Sequence, residues 1–196
     1  LNTCSLCKHA TELCGLIVSL APDVVFLTEP WLSPAFAPGI ATVVPEGYKI
    51  THHNRTNKLG AKIAIIHKEA IQCTTSMDDI TPTMEHLNFR IQTDGKSTIR
   101  GTLVYRLPGP QARLCNFITD FIAPLVIDSN HYIFLRDLNF HLNDLNDTNT
   151  ATHFNNMNNI GLFQLVRNPT HTSGHTLDPI FTSRDTTKSS HATELT

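Results

Sequence analysis

"HYIFLRDLNFHLND", residues 131–144, decides how the rest of the chain is read. Tyr132 to Leu135 make an apolar run of strand length, and the run closes on a carboxylate, Asp137. Asn139 follows two residues later, so in an extended chain its amide shares a face with Asp137. Alternation puts Ile133, Leu135 and Asp137 on one face and Phe134, Arg136 and Leu138 on the other. A guanidinium among apolar neighbours is costly unless it finds a partner or snorkels outward.

Working outward, the same pattern of a buried run ending in a polar group recurs. "DVVFLTE" (23–29) reads as a strand that ends on Glu29, "AKIAIIHK" (61–68) as a second and "HLNFRIQT" (86–93) as a third. "IRGTLVYR" (99–106) is a fourth, closed by the turn signal "LPGP"; "HYIFLRD" is a fifth, and "FQLVR" and "TLDPIFTS" are the last. Leu6, Ala10, Leu13, Cys14, Ile17 and Leu20 recur at helical spacing before Ala21-Pro22 stops that helix. Residues 111–127 predict a helix that Pro124 kinks or shortens, and "ATHFNNMNNIGL" a short one. Hairpin-like runs mixed with helices fit an α+β fold: a four-layer α/β/β/α sandwich of two mixed sheets with outer helices. The chain begins "LNTCSL" without methionine and ends "SSHATELT" in mid-flow, so residues 1–196 read as a single domain cut at both ends.

Composition narrows the function. Apolar residues make up 40 % and charged ones 16 %, which is globular rather than disordered. The apolar runs are too short to span a bilayer, and no signal peptide opens the chain, so no membrane partner is expected. A net charge of −2 argues against a wholesale polyanion binder and confines any nucleic-acid contact to a patch, best represented by "HHNRTNK" (52–58). The alternative for that patch is a solvated loop. Five cysteines without a signal favour reduced thiols in an intracellular protein. Cys4, Cys7, His9 and Cys14 superficially resemble a zinc knuckle, but their spacing is wrong and the segment has helical periodicity.

Several of these polar groups suit phosphodiester hydrolysis. Glu29 offers a hard oxygen ligand to Mg²⁺, which commonly takes only one or two protein carboxylates. Asp137 is placed to orient or deprotonate a water, and Asn139 to donate to a phosphate oxygen. Tyr105 adds a phenolic donor, and Arg106 a planar cation for phosphate. An acid after a strand is also the ordinary N-cap of a following helix, and that reading stays open for each one taken alone.

"LNTCSL", "LTEPWL", "LVYRLPGP", "RDLNFHLND" and "NPTHTSGHTLDPIFT" occur in that order. Together they resemble the endonuclease/exonuclease/phosphatase superfamily, and most closely the apurinic-type endonuclease domain of LINE-like non-LTR retrotransposons. There the motifs run "LNTRSL", "LTETWL", "VYRPPG", "GDFNxH" and "GHTLDLIFT". The resemblance implies a Mg²⁺-dependent enzyme, with Mn²⁺ a substitute. It would nick double-stranded DNA to leave a 3′-hydroxyl that primes reverse transcription by a reverse transcriptase domain of the same polyprotein. Glu29 would be the principal metal ligand, and Asn2, at the end of a first strand, would bind phosphate or metal-bound water. Tyr105 would contact the scissile phosphate, Asp137 align the water, and Asn139 hold the phosphate. Asp178 would orient a catalytic histidine. A working element implies a nuclear location.

The sequence departs from that pattern in ways that imply impaired activity. The family's closing Ser-Asp-His motif is not met by residue 196; His175 belongs to the "GHTLD" motif, and "SSHATELT" around His191 does not resemble the missing one. Losing a general acid/base costs about 10²–10⁴ in rate. Arg136 stands where the family has glycine. Pro179 removes a ladder donor and predicts an edge strand or a bulge. Pro30 after Glu29 suits a turn or a helix start. The alternative function is a catalytically inactive remnant that binds nucleic acid weakly through 52–58; a phosphatase of small esters is a third reading.

Overall fold

The computed structural model describes residues 2–3, 6, 8–32, 40, 43–52, 61–76, 84–92, 97–106, 114–137, 148–166 and 179–183. Helix α1 spans Ala10–Leu20 and buries Leu13 and Ile17, one turn apart on one face. Burying each is worth about 1.5–3 kcal/mol. Ala21 ends the helix in the left-handed region at φ 45°, its N–H bonded to the carbonyl of Ile17 at 2.9 Å, and Pro22 prevents continuation. Leu6 is buried but precedes the helix, and Leu20 is 60 % exposed, so the helical stripe is shorter than the sequence predicts.

The strands form two sheets. The first has β1 (Val24–Leu32), β2 (Tyr48–His52) and β3 (Ala61–Lys68) in the order β1-β3-β2, with both pairings antiparallel. The second has β4 (Gln72–Ser76), β5 (Met84–Gln92), β6 (Thr98–Arg106), β7 (Tyr132–Asp137), β8 (Phe163–Gln164) and β9 (Ile180–Thr182). Its order is β4-β5-β6-β7-β9-β8, mixed because β6 and β7 run parallel across the crossover helix α2 (Leu114–Ile127). Helix α3 (Thr148–Asn159) packs beside α2.

Three apolar clusters define four layers. Leu13 and Ile17 pack on Leu27, Ala64 and Ile66 outside the first sheet. Ile63 and Ile65 meet Leu87, Phe89 and Leu103 between the sheets, where the Phe26 and Phe89 rings lie 4.7 Å apart. Ile118, Ile122 and Met157 cover Phe134 and Phe181 on the outer face of the second sheet. The α/β/β/α sandwich expected from the sequence is therefore present. Packing at Gly101 is close: a Cβ there would strike the Phe89 ring and the Ile133 carbonyl oxygen of the flanking strands.

The expected shortening at Pro124 and the expected edge strand at Pro179 are both corrected. Helix α2 runs past Pro124 to Ile127. Pro124 sits in the final turn and forfeits one backbone bond, while Ile122 and Val126 on either side of it are buried. Pro179 does not make an edge strand, because β9 pairs with both β7 and β8. The ladder starts one residue later, at Ile180, so the missing N–H lies outside it.

Candidate active site

Parallel pairing places Tyr105 of β6 in register with Asp137 of β7, at the C-terminal ends of both strands. Tyr105 points between the sheets, and alternation carries Asp137 to the same side. The first sheet meets them through an irregularity in β1. Thr28 pairs with Ile63 and Leu32 with Ala61, and between them Glu29 and Trp31 adopt φ 52° and 51°. A bulge of this kind re-aims side chains, and each left-handed non-glycine residue costs about 1–3 kcal/mol. Glu29 therefore lies inside a strand rather than at its end. Pro30 belongs to the bulge rather than to a turn or helix start, and its carbonyl accepts the N–H of Leu6 at 3.0 Å.

Two sets of hydrogen bonds then tie the sheets together. The Tyr105 hydroxyl donates to Glu29 Oε1 at 2.7 Å. Asp137 Oδ2 accepts both Asn2 Nδ2 at 2.9 Å and the Thr28 hydroxyl at 3.1 Å. Asn2 is held there by a parallel bridge to Thr28, and the Thr3 N–H donates to the Thr28 carbonyl at 3.0 Å. Among the described residues this is an isolated bridge, and residues 1, 4 and 5 on either side lie outside them. Asp137 is 4 % exposed, so two donors on one oxygen hold its carboxylate in a fixed orientation out of bulk water.

Asn2, Glu29, Tyr105 and Asp137, far apart in the sequence, thus gather at one rim. Asn139 and Asp178 lie outside the described residues, as do His175, His191, Cys4, Cys7 and positions 53–58 of the basic patch. Arg106 is buried on the face opposite Tyr105, with Val104 on the helix side, and burial lowers its pKa from the usual guanidinium value. The structure does not bring it beside Tyr105. Two residues at the rim were missed by the sequence reading. Thr28 completes the Asp137 network; its signal was its place directly before Glu29. Glu85 is register partner of Tyr105 and only 9 % exposed, a second carboxylate facing the same side.

Among the described residues no group of three or more His, Cys, Asp or Glu is gathered to hold a metal. Of the knuckle-like set, His9 turns its Nδ1 toward Glu12 Oε2 at 3.1 Å. The rim does fit an ion of the Mg²⁺ type, which binds through one or two carboxylates and keeps its waters. One Glu29 oxygen is taken by Tyr105, and the other accepts no hydrogen bond from the described residues. No helix among the described residues is long and apolar enough to cross a membrane.

The family model described as Endonuclease/Exonuclease/phosphatase family matches residues 1–195. Among solved structures, the endonuclease domain of TRAS1, a telomere-specific non-LTR retrotransposon, superposes with TM-score 0.66 at 16 % identity, covering 92 % of this chain and 81 % of that one. The AP endonuclease LMAP of Leishmania major gives 0.65 at 17 % identity, covering 93 % and 77 %. The 3′-5′ exonuclease NExo of Neisseria meningitidis gives 0.62 at 15 %, covering 93 % and 84 %. At these identities the likeness is one of fold. No curated protein matches the chain.

Proposed function

Because the chain belongs to the endonuclease/exonuclease/phosphatase family, whose enzymes are generally divalent-metal dependent, we propose that it is a metal-dependent phosphodiesterase that nicks double-stranded DNA. The nick would leave a 3′-hydroxyl for target-primed reverse transcription of a retroelement, with the reverse transcriptase as its polyprotein partner and nuclear DNA as its substrate. The observation that carries this reading is the meeting of Glu29, Tyr105, Asp137 and Asn2 across two sheets, reinforced by the ordered motifs that resemble LINE-like endonucleases.

The roles follow from the bonds. Glu29, through its remaining oxygen, and Asn2, through its amide oxygen, would hold a divalent ion, Mg²⁺ or Mn²⁺. That ion supplies charge neutralisation to the phosphate when bound. Asp137 accepts the proton of the attacking water, in an orientation set by Asn2 and Thr28. The Tyr105 hydroxyl turns from Glu29 to a phosphate oxygen as the substrate arrives, and Asn139 and Asp178 take the phosphate-holding and orienting roles their motifs imply.

The test is nicking of supercoiled plasmid in Mg²⁺. Slow cleavage that disappears in EDTA and falls at least about 10²-fold in Glu29→Gln supports the reading. Equal cleavage by wild type and Glu29→Gln overturns it. If neither cleaves and DNA binding weakens steeply with salt, the chain is the catalytically silent remnant instead.

A further inference from the structure

The end of the second sheet remote from Tyr105 carries a different polar arrangement. Arg90 of β5 and Arg100 of β6 are register partners, so two arginine side chains leave the helix-side face from adjacent positions. Like charges placed directly opposite one another destabilise a ladder. No described carboxylate forms an ion pair with either; Arg100 Nη1 donates 3.3 Å to the carbonyl of Asp128, just past α2. Two adjoining cavities of about 320 and 310 Å³ open here, and Arg90, Arg100, Asp128 and Ser129 line both.

The floor is built and directional. The Thr102 hydroxyl donates its one hydrogen to Asn88 Oδ1 at 2.6 Å, so its contact with Tyr132 must be one in which the phenol donates. Tyr132 is buried, and burial pushes its hydroxyl up to about 12, which keeps it a donor. The relay ends on the Asn88 oxygen and leaves the Asn88 Nδ2 hydrogens for the cavity that this residue lines with both arginines. The wall is fixed too: Ser129 bonds the carbonyls of Val126 at 3.0 Å and Leu125 at 2.7 Å.

We propose that this cavity binds a phosphate-class oxyanion, seated between Arg90 and Arg100 with Asn88 Nδ2 as a third donor. Planar guanidiniums suit paired hydrogen bonds to phosphate, and the anion cancels the repulsion the ladder otherwise carries. Asp128 at the margin repels a bare anion but accepts a hydroxyl, which favours a phosphate ester of a polyol over inorganic phosphate. The site stands apart from the proposed nuclease rim and does not depend on it.

Calorimetric titration of the full chain with inorganic phosphate and with ribose 5-phosphate, in EDTA, tests this without contribution from a metal at the other rim. Saturable binding, tighter for the ester, is expected. Arg90→Gln, Arg100→Gln and Asn88→Asp should each weaken it at least about 10-fold, and Asp128→Asn should tighten inorganic phosphate. Arg90→Gln should also resist denaturant at least as well as wild type, which separates lost binding from lost folding. Unchanged binding in both arginine variants, or a response matched by chloride at equal ionic strength, overturns the proposal. Displacement of phosphate by duplex DNA would identify a nucleic-acid backbone as the source and its failure a small ester; either keeps the oxyanion site.

Discussion

Arg136 and Asp137 are neighbours in β7, 2 % and 4 % exposed, on opposite faces of one strand. Asp137 faces the inter-sheet rim, where Asn2 and Thr28 both donate to one of its oxygens. Arg136 faces the helix layer, its guanidinium carbon 5.1 Å from the centre of the Phe181 ring. Burial lowers its pKa to about 9, and Cys115 offsets part of that. Beside it His153 is fully buried against Phe181, with no hydrogen bond to either ring nitrogen from the described residues, and burial and then the Arg136 charge push its pKa down to about 2. One face has a carboxylate held by donors; the other has a guanidinium whose burial opposes its charge and a histidine that burial keeps neutral. The difference teaches that the strand's polarity is set by what each face meets, and that Arg136 is buried on the helix side without displacing the rim on the other side of the same strand.

Four measurements bear on that contrast. Asp137→Ala should have the largest effect, lowering nicking by about 10²–10⁴; an active variant would remove the rim face from catalysis. Arg136→Met should raise stability by about 1–4 kcal/mol at pH 7, as replacement of buried charge often does. Urea midpoints check this, and a fall in stability would mean the guanidinium is better accommodated than its lowered pKa implies. Because its folded pKa lies below its unfolded one, Arg136 costs most below pH 9, and the gain from Arg136→Met should shrink as pH rises above that value.

His153 makes the third. Its folded pKa is far below the unfolded value of 6.5, so the unfolded chain takes up a proton that the native one does not. Stability attributable to His153 should fall as pH drops below 6.5, by about 1.4 kcal/mol per unit and about 2 kcal/mol at pH 5. His153→Leu should flatten that slope in urea titrations at pH 7, 6 and 5; an unchanged slope would show that other groups set it. The smallest effect belongs to Thr28→Val. It should cost about 1 kcal/mol by removing one donor from Asp137, and a neutral result would leave Asn2 as the donor that matters.

Much of this was legible where hydrophobic pattern and burial coincide. β3 matches its predicted limits because Ile63 to Ile66 are buried without interruption. β1 was read only to Glu29, since a bulge with two left-handed residues leaves no trace in alternation. β2 and β4 were not anticipated: "YKITH" and "QCTTS" lie at sheet edges and carry few large apolar groups. "FQLVR" shrank to a two-residue strand, whereas α3 began earlier than its apolar residues suggested, in the polar run from Thr148. At the rim, Glu29, Tyr105 and Asp137 were found as polar groups that close buried strands, and the ordered motifs then added their roles. Glu85 became visible only through register, which one-dimensional pattern does not carry, and Thr28 only through its bond to Asp137, although it stands directly before Glu29.

The placement of Glu29 and Thr28 in one sheet and of Tyr105 and Asp137 in the other has a consequence for how this protein would fail. Neither half of the sandwich holds a competent constellation alone, so docking of the two halves is itself the assembly step of the site. Loss of inter-sheet packing would silence it before any strand melted, which would make the proposed nicking a gauge of layer-to-layer registry rather than of secondary structure.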